Sequence, residues 1–133
     1  MIKDIVVNLS VEKDRDAAAD FAISTAALFD AHLSAIDGLT PSIIDAWRAE
    51  RMDAAEQARG AFEQNARRAG LQTDTRVIAA STAGAADIIS TIARSYDLSI
   101  LPQSEQDDDV SDTLAIEATL FGSGRPVLVV PYI

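Results

Sequence analysis

The sequence has no cysteine and few aromatic residues. Among its 133 residues there is no cysteine, and Phe, Trp and Tyr together make up 5%. The lack of cysteine excludes disulfides, iron–sulfur clusters, cysteine nucleophiles and thiolate zinc sites. Hydrophobic residues nevertheless make up 48% of the chain, so its stability must come from packing alone.

Basic residues and long apolar runs are also scarce. The chain has 11 Lys and Arg against 21 Asp and Glu, a formal net charge of −10, which repels nucleic-acid phosphates and anionic lipid. No apolar run approaches the roughly 20 residues needed to span a bilayer. The short run Ile5–Val7 lacks the length and cleavage site of a secretory signal. The sequence therefore predicts a cytoplasmic protein with no nucleic-acid and no membrane partner.

Strands and helices are predicted to alternate along one domain, residues 1–133. Short β-branched runs indicate strands, and apolar residues at i, i+3, i+4 and i+7 indicate helices. The strands are predicted at 3–9, 32–36, 71–79, 98–101 and 126–131, and the helices at 18–29, 41–69, 85–96 and 114–121. Asp37-Gly38 predicts a turn after the second strand, and Gly70 predicts the end of the long helix.

This alternation predicts an α/β fold with a parallel sheet covered by helices on both faces. Ligands of such open sheets bind beyond the carboxyl ends of the strands. The corresponding segments here are residues 8–10, 36–38 and 102–104.

Two features allow both a binding interpretation and a structural one. Asp107, Asp108 and Asp109 are oxygen donors of the kind that Mg²⁺ and Ca²⁺ prefer, but Asp109 also suits the cap of the next helix, which is favoured. Trp47 could stack on an adenine, but its apolar neighbours along the long helix favour packing.

Ser24, His32 and Asp37 supply the residue types of a hydrolytic triad. Ser24 lies two helical turns before His32, and nothing in the predicted topology makes these side chains converge. We therefore predict a structural role for His32 and no catalytic site, so the protein is predicted not to be an enzyme.

Three segments resemble the universal stress protein family, and the resemblance covers essentially the whole chain. They are the first strand with its Ala-rich helix, Ile5 to Phe29; the entry to the second strand, Ala31-His32-Leu33; and the terminal Gly124-Arg125-Pro126-Val127-Leu128-Val129-Val130-Pro131. The terminal strand is the most specific of the three, because the helical patterns recur in many doubly wound folds.

The resemblance implies a Rossmann-like, five-stranded parallel sheet in the order 3-2-1-4-5, similar to that of the adenine nucleotide alpha hydrolases. It also implies stress-linked expression in the cytoplasm and dimers formed through the fifth strand. The implied interface residues are Val127, Leu128, Val129 and Val130, and the partner is a second copy or another universal stress domain.

The chain departs from the ATP-binding members at two places. Those members carry an acidic residue after strand one and a glycine motif after strand four. Here Ser10 falls at the acidic position, and there is no glycine from Ala85 through Phe121 to bring backbone N–H groups against a phosphate. The segment Ser104–Asp109 instead carries four carboxylates, which repel a polyphosphate.

Two functions of different class follow from the resemblance. The leading one is a non-enzymatic stress-response protein that acts through dimerisation and protein contacts, with no cofactor because ATP binding is weak or lost. The alternative is a sensor or slow ATPase that binds ATP or AMP with Mg²⁺ through an altered loop. Its candidate, vestigial nucleotide site comprises Ser10, Ile36, Gln103 and Ser104.

Overall fold

Strands and helices alternate along the chain, as the sequence predicts. The computed structural model describes residues 2–9, 16–39, 45–79, 82–103 and 110–131. The elements are β1 Asp4–Asn8, α1 Ala17–Phe29, β2 His32–Leu39, α2 Asp45–Arg68, β3 Thr73–Ala79, α3 Thr82–Ala93, β4 Leu98–Pro102, α4 Val110–Gly122 and β5 Val127–Val130. None of the described helices has the length and apolar character needed to cross a membrane.

The described strands form one parallel sheet in the order β3-β2-β1-β4-β5. Both the parallel arrangement and the 3-2-1-4-5 order predicted from the family resemblance are therefore confirmed. β1 lies at the centre, between β2 and β4, so the strand order reverses next to β1. In open α/β sheets the ligand crevice lies at such a reversal, beyond the carboxyl ends of the strands.

Side chains alternate between the two faces of the sheet, and each face is covered by two helices. On one face, Ile5 and Val7 of β1 pack with Ala22 of α1 and Phe62 of α2. On the other face, Val6 packs in a cluster that includes residues of α3 and α4. β1 is thus buried on both sides, which explains its continuous apolar run.

β2 is longer than the sequence predicts. The predicted turn at Asp37-Gly38 is wrong, because the strand continues to Leu39. Gly38 pairs with Ile78 and Leu39 with Ala79 of β3. Pairing with a neighbouring strand holds this segment extended, and tertiary context overrides the local turn preference.

The predicted end of the long helix is confirmed. Gly70 has φ +77°, and Leu71 N donates to Ala66 O at 3.0 Å while Gly70 N donates to Arg67 O at 3.0 Å. These two bonds form a Schellman motif, which glycine favours because it lacks a Cβ. The chain can then turn directly into β3.

Candidate functional site

The carboxyl edge of the sheet contains two of the four residues of the predicted nucleotide site. Leu9 N donates to Ile36 O at 2.9 Å, and Gln103 N donates to Val130 O at 2.9 Å. The Ile36 side chain is buried in the core, whereas Gln103 is exposed just after β4. Of this pair, only the Gln103 side chain is presented at the surface. Ser10 and Ser104 lie outside the described residues.

Asp37 is the most unusual side chain near this edge. It is fully buried, and neither carboxylate oxygen has a hydrogen-bond partner among the described residues. Burial raises the pKa of Asp37 to about 6, although the positive charge of Arg59 opposes the rise. Asp37 alternates with Ile36 and therefore faces the layer of α1 and α2.

Arg59 lies on the stripe of α2 that packs against the sheet. The buried Ala55 and Phe62 lie four residues before it and three residues after it, the spacing of one helix face. Its guanidinium is partly exposed, and one nitrogen lies 3.8 Å from Glu56 Oε1. This loose contact leaves most of the five N–H donors of Arg59 for other groups.

An adenine nucleotide is the ligand that the family resemblance implies. The Asp37 carboxylate has no exposed surface to offer a base or a ribose, and a carboxylate repels phosphates. Gly84 lies in the first turn of α3, the helix that follows β3. The next glycine in the sequence is Gly122. The described residues therefore do not suit a polyphosphate.

A second polar cluster lies at the amino edge of the sheet, far along β2 from the carboxyl edge. His32 Nε2 lies 2.8 Å from Asp74 Oδ1 and 3.4 Å from Ser34 Oγ. Ser34 also donates to Asp74, and Tyr96 OH donates to Ser34 Oγ at 2.9 Å. The cluster thus links β2, β3 and the residue segment that leads into β4.

The hydrogen bonds of this cluster also set its charge. Partial burial raises the pKa of Asp74, but hydrogen bonds from Ser34 and His32 and the charges of His32 and Arg76 outweigh it, so the pKa lies below its ordinary value. The Ser34 hydroxyl gives its proton to Asp74 and accepts one from Tyr96. An arrangement of this kind holds the strands together and does not activate the serine as a nucleophile.

The residue types of a hydrolytic triad do not converge. His32 and Asp37 are five residues apart on one strand, so their side chains lie on opposite faces of the sheet. Ser24 is an exposed residue of α1, on the face opposite to that of His32. The partner of His32 is Asp74, which the sequence analysis did not single out.

Metal-ion ligands are not brought together in the described part of the chain, where no three His, Asp or Glu side chains form a site. The predicted cap or cation ligands Asp107, Asp108 and Asp109 lie outside the described residues. Trp47 lies in α2, but the surroundings of its side chain are likewise outside that part.

The predicted interface strand β5 forms one edge of the sheet. Leu128 and Val130 pack on the α1 side, whereas Val127 packs in the cluster on the α3 and α4 side. Val129 is 36% exposed. The outer backbone groups of β5 therefore border an uncharged row of side chains.

Exposed apolar residues lie on both helices that contact β5. On α1, Phe21 is 46% exposed and Leu28 is 79% exposed, whereas Ala19 and Ile23 are buried. On α4, Leu120 is 54% exposed.

The other edge strand, β3, has a different character. Its side chains include the charged Asp74 and Arg76, both exposed, on either side of Thr75. Thr75 itself donates to Glu63 Oε1 of α2 at 3.1 Å. Charged side chains on an edge strand hinder pairing with another chain, so β3 is protected in a way that β5 is not.

No protein-family model and no curated protein matches the sequence. Solved structures do match. A hypothetical protein whose biochemical function was assigned from its structure aligns with a TM-score of 0.73 at 15% identity, over 100% of this chain and 98% of that chain. The universal stress protein from Archaeoglobus fulgidus aligns with a TM-score of 0.69 at 14% identity, over 97% and 93% of the two chains.

Some of the matched structures contain a nucleotide. The Archaeoglobus fulgidus protein in complex with dAMP aligns with a TM-score of 0.66 at 17% identity, over 97% of this chain and 98% of that chain. A universal stress protein family protein from Arabidopsis thaliana with AMP bound aligns with a TM-score of 0.65 at 11% identity, over 98% and 92%. These likenesses confirm that the chain has the universal stress protein fold.

Proposed function

We propose that this chain is a cytoplasmic universal-stress-type protein that forms dimers through β5 and acts by protein contacts, without catalysis and with weak or lost ATP binding. The observation that carries the proposal is the contrast between the two sheet edges. β5 is uncharged, whereas β3 carries exposed charges. An uncharged open edge needs a cover, and a second β5 supplies one.

Apolar side chains beside β5 support the same partner. Phe21 and Leu28 of α1 and Leu120 of α4 are exposed, and both helices contact β5. Strand pairing between two copies would satisfy the backbone groups of Val127 to Val130 and bury these side chains together. A universal stress domain of another protein with a similar uncharged edge strand could pair with β5 in the same way.

Analytical ultracentrifugation at micromolar concentration tests the dimer. We expect a species of twice the chain mass that persists at high salt, because an apolar interface is not screened. A monomer at all micromolar concentrations contradicts the dimer.

The charge at the carboxyl edge supports weak or lost ATP binding. Asp37 is a buried carboxylate beside the expected crevice, and the chain that follows Gln103 adds four more in Ser104–Asp109. Each carboxylate opposes a triphosphate unless a cation lies between them. Titration calorimetry with ATP and Mg²⁺ should show no binding at micromolar nucleotide.

The alternative is a nucleotide-binding sensor or slow ATPase that uses Ser10, Gln103 and Ser104 with Ile36 at the edge. This alternative is supported by two matched structures, one of which is in complex with dAMP and the other with AMP. Calorimetry with AMP, and mass spectrometry of any ligand retained through native purification, separate the two functions. A retained adenine nucleotide, or micromolar binding of AMP, replaces the leading proposal with this one.

A further inference from the structure

The helices on the two faces of the sheet lie at different distances from the β5 edge. On one face, α1 contacts β1, β2, β4 and β5, so its axis runs roughly between β1 and β4. On the other face, α4 contacts β4 and β5, so its axis runs roughly between those two strands. α4 is therefore closer than α1 to the edge of the sheet.

The β5 dimer turns this difference into two different distances between equivalent helices. Two copies that pair the same edge strand are related by a two-fold axis perpendicular to the sheet, with antiparallel β5 strands and equivalent helices on the same face. Neighbouring strands lie about 4.8 Å apart, so α1 lies about two strand spacings from the axis and α4 about one. The two copies of α4 are thus about 10 Å apart, and the two copies of α1 about 19 Å apart.

The packing distance between helices decides what happens on each face. Packed helices lie about 8–10 Å apart. The two copies of α4 are within this range and close their face of the dimer. The two copies of α1 are about twice as far apart, so the space between them has the width of one further helix. The dimer therefore has a slot on the α1 face and none on the α4 face.

The slot is apolar on its floor and along its walls. Leu128 and Val130 of β5 belong to the cluster on the α1 side of the sheet and form the floor. Phe21 and Leu28 are seven residues apart and therefore share one side of α1, at 46% and 79% exposure. With the sheet below α1 and α2 along one flank, exposed side chains point outwards or to the flank above β5. The buried side of α1 consists mainly of alanine, so its larger apolar side chains are available to a partner.

Given the β5 dimer of the proposed function, on which this site rests, we propose that the slot binds one amphipathic α-helix of a partner protein. Apolar side chains of that helix contact Phe21 and Leu28 of both copies and the floor at Leu128, as in other complexes of a helix in an apolar groove. The slot lies on the two-fold axis and holds a single helix. The complex therefore contains one partner helix for every two chains.

The charge around the slot selects a basic partner helix. None of the 13 residues of α1 is Lys or Arg, whereas Asp20 lies in its first turn and Asp30 caps its end. Both aspartates are exposed, and each chain has a net charge of −10. Lys and Arg on the outer face of a partner helix are attracted by this charge. An acidic helix, such as α1 of a further copy, is repelled.

The test is a titration of the full chain with a synthetic peptide of about 18 residues, in which Leu occupies one face of a helix and Lys the other. At about 0.15 M salt we expect a Kd of about 10 µM or tighter by calorimetry. Ultracentrifugation should show one peptide per two chains. A Leu–Glu peptide of the same spacing, and a scrambled Leu–Lys peptide without helical periodicity, should bind at least about tenfold more weakly.

Substitutions on α1 assign the peptide to the slot. Phe21→Gln and Leu28→Gln remove apolar contacts without changing the charge, and each should weaken binding about tenfold or more. Met52→Gln on α2 and Ile88→Gln on α3 make similar changes at exposed apolar positions of helices that do not border the slot, and should leave binding unchanged. Circular dichroism and ultracentrifugation show that each variant is folded and dimeric.

The outcomes separate the slot from the dimer. One peptide per two chains, with binding weakened by both α1 substitutions and by neither control, supports the proposal. If a dimeric chain binds no peptide, binds one peptide per chain or binds the Leu–Glu peptide equally well, the slot is overturned and the β5 dimer stands. Unchanged binding in Phe21→Gln and Leu28→Gln, or an equal loss in the two controls, also overturns it. A monomeric chain removes both the dimer and the slot.

Discussion

At the scale of single residues, Asp37 links stability to pH. Its folded-state pKa of about 6 lies above the ordinary carboxyl value of 3.8 because the side chain is buried. Between these two values the folded state holds more protons than the unfolded state, so stability falls as pH rises through this window. A pKa shift of this size changes the free energy of unfolding by about 2–3 kcal/mol across the window.

We therefore predict that Asp37→Asn becomes more stable relative to the wild type as pH rises. The difference in unfolding free energy between the two should increase by about 2–3 kcal/mol between about pH 4 and about pH 7.5. Urea unfolding at several pH values measures it. Asp53→Asn, at an exposed position of α2, is the control and should show a difference that does not change with pH. A pH-independent difference for Asp37→Asn contradicts the prediction.

Asp30 is the second residue that is unfavourable where it lies, at the carboxyl end of α1. It follows α1 with φ 52° and ψ 45°, the left-handed region, and Ala31 N donates to Ala26 O at 2.9 Å across it. Glycine avoids the Cβ strain of this region, and a carboxylate is unfavourable beside the negative end of a helix. We predict that Asp30→Gly raises the unfolding free energy by about 0.5–1 kcal/mol.

Thermal and urea unfolding measure this change. Asp30→Ala keeps a Cβ in the left-handed region, which alanine adopts less readily than aspartate, so it should lower stability. A loss of stability in Asp30→Gly, or a gain in Asp30→Ala, rules out this explanation.

At the scale of elements, α3 and α4 approach each other closely at Gly122. A Cβ at this position would lie 2.5 Å from Ser90 Oγ, which donates to Ala118 O at 2.9 Å. Arg94 Nε also donates to Gly122 O at 2.9 Å and completes the end of α4. We predict that Gly122→Ala lowers the unfolding free energy by about 1–3 kcal/mol, because either Ser90 must give up its bond to Ala118 O or the helices must move apart.

A double-mutant cycle tests the cause. In a Ser90→Ala background the nearest remaining atom is the residue 90 Cβ, at 3.7 Å from the position of the added Cβ. Gly122→Ala should then be neutral or stabilising, because alanine favours a helix by up to about 1 kcal/mol over glycine. An equal loss in both backgrounds means that the contact with Ser90 is not the cause.

At the scale of the whole molecule, the strand order leaves two exposed valines on opposite sheet edges. Val129 of β5 is 36% exposed and Val77 of β3 is 47% exposed. If the dimer forms through β5, a lysine at position 129 places two like charges close together across the interface. We predict that Val129→Lys is monomeric at micromolar concentration.

Val77→Lys makes the same change on the other edge and should remain dimeric. Ultracentrifugation measures both variants, and circular dichroism shows that both are folded. A dimeric Val129→Lys, or a monomeric Val77→Lys with a dimeric Val129→Lys, moves the interface away from β5.

The sequence predicted the elements well and their boundaries less well. Apolar periodicity depends on which face of an element is buried, so it located β1 and α1 directly. The end of β2 was wrong because pairing with β3, a contact distant in sequence, decides it. Asp74 was missed for the same reason: its bond to His32 joins two strands 42 residues apart.

The sequence by itself determined the alternation of strands and helices, the absence of thiol chemistry and the negative charge, because these depend on local pattern and composition. Only the tertiary structure buried Asp37 without a hydrogen-bond partner, because its burial depends on how the helices pack on β2. Tertiary packing likewise decided that β5 and β3 are the edges, since strand order is set by contacts between distant segments.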